Sequence, residues 1–589
     1  MKRVKIIDME SEKETNLIRV FCKNTGKDYV VNPGLKLVDF LNQIKYTAPS
    51  GSRILAAYVD NQLKELSFPL FMAHSVEFLT IEQNDGRRTY QRSLCMVLQK
   101  AVYDLYPEYQ LELDYTLPNG LYGELRVRGN CKTTTEENIG VLPQSMTITD
   151  ADVEKIRSRM QEIIDNDLPI IKTKQSSREA VSLFLRHGQT DKARLFETLG
   201  IFFISVYYLD GYGDTFYGPM LHSTGYINRF NLIKYNNGFC LQSPQTQQNV
   251  DMPKVKYQEK LHEIFKENSD WCTILGAKDI GTINRAILNG DSTRAIQIAE
   301  ALHERKYAAI ADKIYEKKDR IKLVLIAGPS SSGKTTTSKR LALQLKVIGL
   351  NPVVVGMDDY FVNRDRTPKD AEGNYDFESI YALDIELLNE QMNQLFNGEE
   401  VELPKFDFTK GYSSPSGNKI RVGSEDVLIM EGIHALNPEL TAQISNDRKF
   451  KIYASALTSL SIDENNSIST TDNRLLRRIV RDSNFRGINA EETIIRWPSV
   501  VRGEFKNIFP YQENADIMFN SFLIYELPML KYFAEPLLRR ISPVSPAYPE
   551  SLRLLKFLSY IIEINSKEIA AIPPTSVVRE FIGGSTFSY

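Results

Sequence analysis

Gly328-Pro329-Ser330-Ser331-Ser332-Gly333-Lys334-Thr335 is GxxxxGK[ST] in full, and Thr336 follows it. Glycines at the two ends of this pattern let backbone N–H groups curl around phosphate oxygens at a helix N-terminus. Gly328, Ser330, Ser331, Ser332, Gly333 and Thr336 then make the cradle, Lys334 reaches the β- and γ-phosphates, and Thr335 offers a hydroxyl to Mg²⁺. The expected ligands are ATP or GTP with Mg²⁺. Asp358 follows the apolar run Pro352–Met357, at an edge where a carboxylate can take a proton from an acceptor hydroxyl or assist Mg²⁺. Glu431 follows the run Asp426–Met430 and is placed to hold Mg²⁺ directly or through water, whereas His434 reads as structural. Between Asp472 and Arg486 lie five arginines and two aspartates. Arg474, Arg477, Arg478 and Arg481 are spaced by threes and fours, so most share one helix face. An arginine lid closing over the transferring phosphate is the expected use of that face.

These residues need an α/β frame. Ile321–Ala327 is a continuous apolar run, as in a buried strand of a parallel sheet, and Thr336–Leu345 reads as the helix after the loop. The α/β unit spans residues 319–541. Before it, residues 251–318 read as a helical connector, with Ala295, Ile298, Leu302 and Ile310 at helical spacing over 291–317. After it, residues 542–589 open on Pro543, Pro546 and Pro549, continue in a helix over 552–564, and end in a Gly/Ser/aromatic surface strap. Residues 1–84 read as a small α/β unit: strands over 17–21 and 28–31, a helix carrying Leu37, Phe40, Leu41 and Ile44, then strands over 55–59 and 75–81. Residues 85–250 form a further α+β unit.

Composition excludes several classes. Hydrophobic residues make up 42% and charged residues 25% of the 589, as in packed globular domains. The 72 Lys and Arg against 75 Asp and Glu leave a net charge of −3 and no global basic field for nucleic acid or membrane. Cys22, Cys95, Cys131, Cys240 and Cys272 are dispersed without a CxxC pair, which points to neither a zinc ribbon nor an oxidising compartment. The start, Met1 to Asp8, turns acidic without an apolar leader. Ile201–Leu209 is about half the length of a membrane span of roughly 20 residues. A cytoplasmic protein without membrane contact is expected.

Five blocks in order, the phosphate loop, Asp358-Asp359-Tyr360-Phe361, Asn374-Tyr375-Asp376-Phe377-Glu378-Ser379, Pro404-Lys405-Phe406-Asp407-Phe408 and Met430-Glu431-Gly432-Ile433-His434, precede the arginine helix. Together they resemble the uridine kinase/phosphoribulokinase superfamily over about 220 residues. The resemblance implies that Asp358 is the base, that Asp376 holds ribose hydroxyls, and that Arg474, Arg477 and Arg481 belong to the lid, with Arg478 beside them on the nucleotide. It also puts Phe361, Tyr375, Phe406 and Arg474 against the acceptor. Uridine kinases carry a tyrosine where this chain has Phe406, a histidine shortly after it where Gly411 falls, and a tyrosine at Phe361. Losing such hydrogen-bonding groups changes selectivity.

Residues 1–84 resemble the ubiquitin-like TGS domain of threonyl-tRNA synthetases. Tyr90–Leu98, Asn119-Gly120-Leu121-Tyr122, Ile148–Asp152 and Gly218–Gly225 resemble the editing domain of threonyl- and alanyl-tRNA synthetases. That family's hydrolytic residues read Arg92, Met96, Tyr217 and Met220 here, a set that can neither bind zinc nor act as general base.

The reading that follows is an ATP-dependent kinase acting on a small molecule, foremost the 5′-hydroxyl of a nucleoside such as uridine or cytidine, with the front half as sensor or scaffold. A nucleotide-switched tRNA- or RNA-binding regulator is the alternative; the near-balanced charge of residues 1–250 weighs against it. A small regulatory ligand in the front half and a homo-oligomer stay open.

Overall fold

A computed structural model describes residues 17–118, 120–128, 145–246, 252–369, 373, 375–407, 410–423 and 425–589. Met1–Asp8, Asn119, Cys131, Asn374 and Phe408, used above, lie outside the described residues.

Five parallel strands carry the phosphate loop. Their order across the sheet is Asn351–Gly356, Asp426–Glu431, Leu323–Ala327, Lys449–Ser455 and Ile517–Asn520. The central strand Leu323–Ala327 is at most 1% exposed at every residue, as an unbroken apolar run buried on both faces requires. The loop helix Lys334–Val347 starts two residues earlier than the expected Thr336, because Gly333 caps it in the left-handed region at φ +81°. The two acidic strand ends leave the same edge of this sheet as the loop.

Two segments differ from expectation. The helix expected over 552–564 spans Tyr548–Leu558, since Pro549 fits its first turn and the chain turns away after Ser559. The closing segment is more than a surface strap: Val577, Val578 and Phe581 are completely buried. They share one core with Leu476 and Trp497 beside the loop and with Phe184 and Phe196 of the front half. The helix expected over 291–317 spans Ser292–Tyr315 and buries Ile296, Ala299, Tyr307 and Ile310.

Among the described residues the front half contains three sheets of three or more strands and the short pair Leu35–Lys36 with Pro69–Leu70. The first has the order Lys27–Val31, Ile18–Cys22, His74–Leu79, Ala56–Val59, Gln62–Lys64, with Ile18–Cys22 and His74–Leu79 parallel and the other pairs antiparallel. Helix Leu37–Ile44 presses fully buried Leu37 and Phe40 onto its core. The long helix Asn84–Leu105 then leads to a four-stranded antiparallel sheet and a three-stranded one that includes Phe203–Leu209. Among the described residues no helix is long and apolar enough to cross a membrane.

Ion pairs stitch the two halves together. Arg88 lies 2.8 Å from Glu550, and Arg553 bridges Glu550 at 2.6 Å and Asp472 at 2.7 Å. Burial alone would raise the Glu550 carboxyl, but Arg553 and Arg88 overcome it and hold it far below the usual carboxylate range. A carboxylate with a depressed folded-state pKa adds stability that is complete above its unfolded value of about 4.3 and is lost as pH falls below it. Glu550→Gln is therefore expected to lower the thermal midpoint at pH 7. The gap from the wild type should narrow steadily below about pH 4.3 in melts run across a pH series. A gap that stays constant down to pH 3 would remove this linkage.

Candidate functional site

The loop geometry follows from two left-handed residues, Ser331 at φ +59° and Gly333 at φ +81°. Alternating hand in successive residues turns several N–H groups toward one point, a concavity suited to an anion. Glycine is required at Gly328 for another reason. A Cβ there would lie 1.9 Å from the carbonyl oxygen of Ala454, so Gly328→Ala must displace either the loop or the neighbouring strand. A cost of about 1–3 kcal/mol is expected, together with loss of Mg·ATP binding in a calorimetric titration. Unchanged affinity would show that the loop is not the nucleotide's seat.

At the strand-end side of the loop Lys334 faces several carboxylates. Lys334 Nζ donates to the carbonyl of Pro329 at 3.3 Å, and Thr335 Oγ1 donates to Glu431 Oε1 at 2.8 Å. Burial pushes the Glu431 carboxyl up to about 7; the charge of Lys334 opposes that rise and Asp358 adds to it. Burial likewise pushes Glu378 up to about 7, with Glu504 and Asp358 raising it and Arg478 and Lys334 lowering it. Asp358 lies exposed in the short turn Met357–Tyr360 at the end of its strand. Lys334 and Asp358 act on the same two acids, so the loop lysine, the strand-end aspartate, Glu378 and Glu431 form one neighbourhood. His434 is buried in it, and burial and Lys334 lower its pKa to about 4, so the ring is neutral near pH 7.

The oxygens of Thr335 and Glu431 suit Mg²⁺, a hard cation that takes one or two protein oxygens and completes its shell with waters and substrate phosphates. Among the described residues no group of three or more His, Cys, Asp or Glu is gathered to hold a metal unaided.

The arginine helix spans Thr470–Phe485, and its arginines are braces. Arg474 is 1% and Arg477 0% exposed. Arg474 pairs through both terminal nitrogens with Glu504 and donates to the carbonyl of Ser330 at 3.1 Å. Arg477 pairs with Glu526 and donates to the Ser331 carbonyl at 3.2 Å and to Ser521 Oγ at 3.1 Å. These guanidiniums hold the loop's own carbonyls, a different position from that of a lid over phosphate. Arg478 reaches furthest toward the cradle and donates to Ser330 Oγ at 2.9 Å. Burial and the neighbouring Arg486 lower the Arg481 pKa to about 10, while Asp482 lies 3.6 Å away.

An aromatic cluster stands beyond the strand end that carries Asp358. Phe361 sits 5.6 Å from Phe406 and 6.3 Å from Phe377 between ring centroids, and Phe377 sits 6.0 Å from Tyr375. Asp376 accepts the Glu378 N–H at 3.2 Å, which fixes the turn carrying both. Phe377 and Glu378 fall within the block around Asp376, but nothing in it singles out either side chain, and the sequence carries no signal for Glu504, whose Oε1 accepts the Ser330 N–H at 3.1 Å.

In the front half, Arg92, Met96, Tyr217 and Met220 are all engaged within the protein. Arg92 donates to the Pro219 carbonyl at 2.9 Å and 3.1 Å. Met96 and Met220 are buried, and Tyr217 donates to Asp463.

A five-stranded parallel sheet with a phosphate loop on its central strand, acids at the neighbouring strand ends and an arginine helix across the loop define a P-loop kinase domain. The sequence profile of the phosphoribulokinase / uridine kinase family matches residues 323–525. The uridine kinase of Macrococcus caseolyticus is 30% identical over 197 residues, covering 33% of this chain and 86% of that enzyme. The uridine kinase of Staphylococcus aureus strain JH9 is 30% identical over 199 residues, covering 33% and 86%. The chain belongs to the phosphoribulokinase/uridine kinase family through this region. The solved structure of a possible uridine kinase from Bacillus stearothermophilus is 22% identical and covers 37% of this chain and 98% of its own, with a TM-score of 0.26.

Proposed function

We propose that this protein is an ATP-dependent kinase that phosphorylates a hydroxyl of a small molecule, foremost the 5′-hydroxyl of a nucleoside. The carrying observation is the convergence of Lys334, Thr335, Glu431 and Asp358 beside the rings of Phe361, Phe377 and Phe406. Thr335 and Glu431 would hold Mg²⁺, which when bound neutralises charge on the phosphates. Lys334 supplies positive charge where the transferring group becomes more anionic. Asp358, exposed at the strand end, accepts the proton of the attacking hydroxyl. Asp376 orients ribose hydroxyls, and the exposed rings of Tyr375 and Phe377 give a flat base a stacking surface, while Phe361 and Phe406 lie buried beside them. Phenylalanines at positions 361 and 406 supply no side-chain hydrogen bond to a base edge, so we infer a broader choice of base than a pocket that reads pyrimidine atoms.

Residues 1–84, with one helix on a mixed five-stranded sheet, support a TGS-like unit, and residues 85–250 an editing-like unit without hydrolytic chemistry. Cys22, Cys95, Cys240 and Cys272 are free thiols, in keeping with a reducing compartment. The deciding experiment is a panel of nucleosides, ribose sugars and unrelated alcohols incubated with Mg·ATP and scored for ADP release and phosphorylated product. Turnover with several nucleosides is expected. Turnover only with a non-nucleoside alcohol would replace the acceptor, and none with any member would remove the kinase reading.

A further inference from the structure

The segment 577–589 touches the N-terminal turn of the loop helix, where the nucleotide's phosphates are cradled. Glu580 Oε2 accepts both the backbone N–H of Thr336, at 3.3 Å, and its hydroxyl, at 2.7 Å. Tyr589 brings its hydroxyl to 2.9 Å from the same Thr336 Oγ1, and Lys339 Nζ lies 4.7 Å over its ring. Lys339 also donates to the carbonyl of Ser588. Val577 packs so close to Gly333 that a Cβ on that glycine would stand 2.4 Å from Val577 Cγ2.

A carboxylate held by a first-turn N–H and a hydroxyl is the chain's own stand-in for a phosphate oxygen. It uses donors that a nucleotide needs, and it adds a negative charge where the nucleotide brings several. We propose that residues 577–589 are a resident competitor of the phosphate donor: Glu580 closes the cradle, Tyr589 covers it, and nucleotide binding requires both to withdraw. This rests on the kinase reading above.

The architecture allows a local withdrawal. Val577, Val578 and Phe581 are anchored in the core, with Arg477 4.9 Å over the Phe581 ring and Asn484 donating to the Phe581 carbonyl at 3.1 Å. Immediately after them, Gly583 at φ +90° and Gly584 at φ +74° form a joint that residues with a Cβ rarely adopt. Residues 585–589 turn on that joint once the Thr586 N–H releases the Pro574 carbonyl, 3.2 Å away, and Glu580 leaves by changing rotamer, without unpacking the anchor.

The test is calorimetric titration of Mg·ATP into the wild-type chain, Glu580→Ala, Glu580→Gln and a chain lacking residues 585–589. The charge-neutral Glu580→Gln guards against a misfolded alanine variant. Coupling energies of this kind correspond to about 5–150-fold in affinity, and tightening in that range is expected for Glu580→Ala, with a smaller gain for the deletion. Saturating Mg·ATP should also speed amide hydrogen exchange at Gly584–Tyr589 in the wild type. Equal, measurable affinity in all four proteins overturns the competition and leaves the kinase reading standing. Failure of all four to bind overturns both.

Discussion

Asp358→Asn is expected to lower the rate of ATP-dependent phosphorylation by about 10²–10⁴-fold, the span that general-base catalysis contributes. The side chain is exposed at the end of a strand, so the amide costs little in packing and circular dichroism and melting point should match the wild type. Mg·ATP affinity should change little, because Lys334, Thr335 and the loop amides are untouched. The loss therefore belongs in kcat more than in the KM for ATP. Lys334→Ala is the counterpart: it removes positive charge from phosphates in both the ground and transition states, so binding and turnover fall together. An Asp358→Asn protein with full turnover would transfer the base to another group, and Glu378 stands in the same neighbourhood.

Breaking the brace under the loop should have the largest effect on stability. Arg477 and Glu526 are both completely buried, and removing one member of such a pair leaves an uncompensated charge that costs about 3–5 kcal/mol. Glu526→Ala is expected to show that loss in urea unfolding followed at the loop's sheet, along with weakened nucleotide binding, since Arg477 holds the Ser331 carbonyl. Arg477→Met combined with Glu526→Leu should recover most of the stability, because two apolar chains of similar volume leave no charge unpaired. By contrast, the exposed pair Arg19–Asp28 is screened by water and adds little to stability. If Glu526→Ala unfolds at the wild-type urea concentration, the brace carries no load.

Placement that depends on residues adjacent in sequence was legible; placement that depends on the fold was not. The loop, its flanking strand, Asp358 and Glu431 follow from short-range pattern alone, and each stands at the sheet edge where that pattern puts it. The arginine helix shows the limit. Its spacing exposes a cationic face, but Glu504 and Glu526, which neutralise it, lie 30 and 49 residues further on, in helices of ordinary composition. Without them the arginines read as free to meet phosphate. The closing segment shows the same limit, since nothing in a Gly/Ser/aromatic stretch announces that Val577 and Phe581 are core residues or that Glu580 reaches Thr336.

One contact between the halves bears on how this chain came to be a unit. Lys192 is wholly buried, 2.6 Å from Asp214 of its own half and 2.8 Å from Asn465 Oδ1 in the turn between the short strands Ser461–Asp463 and Asn466–Ser467. Asp463, equally buried, accepts from Tyr217. The similar uridine kinases align with about a third of this chain. A chain divided near residue 318 would leave Lys192 with Asp214 and Asp191 on one piece, stripped of Asp463 and Asn465, and a wetted aspartate and asparagine on the other. Recombination that swapped either half for an unmatched one would meet the same cost, so the seam is expected to be inherited whole.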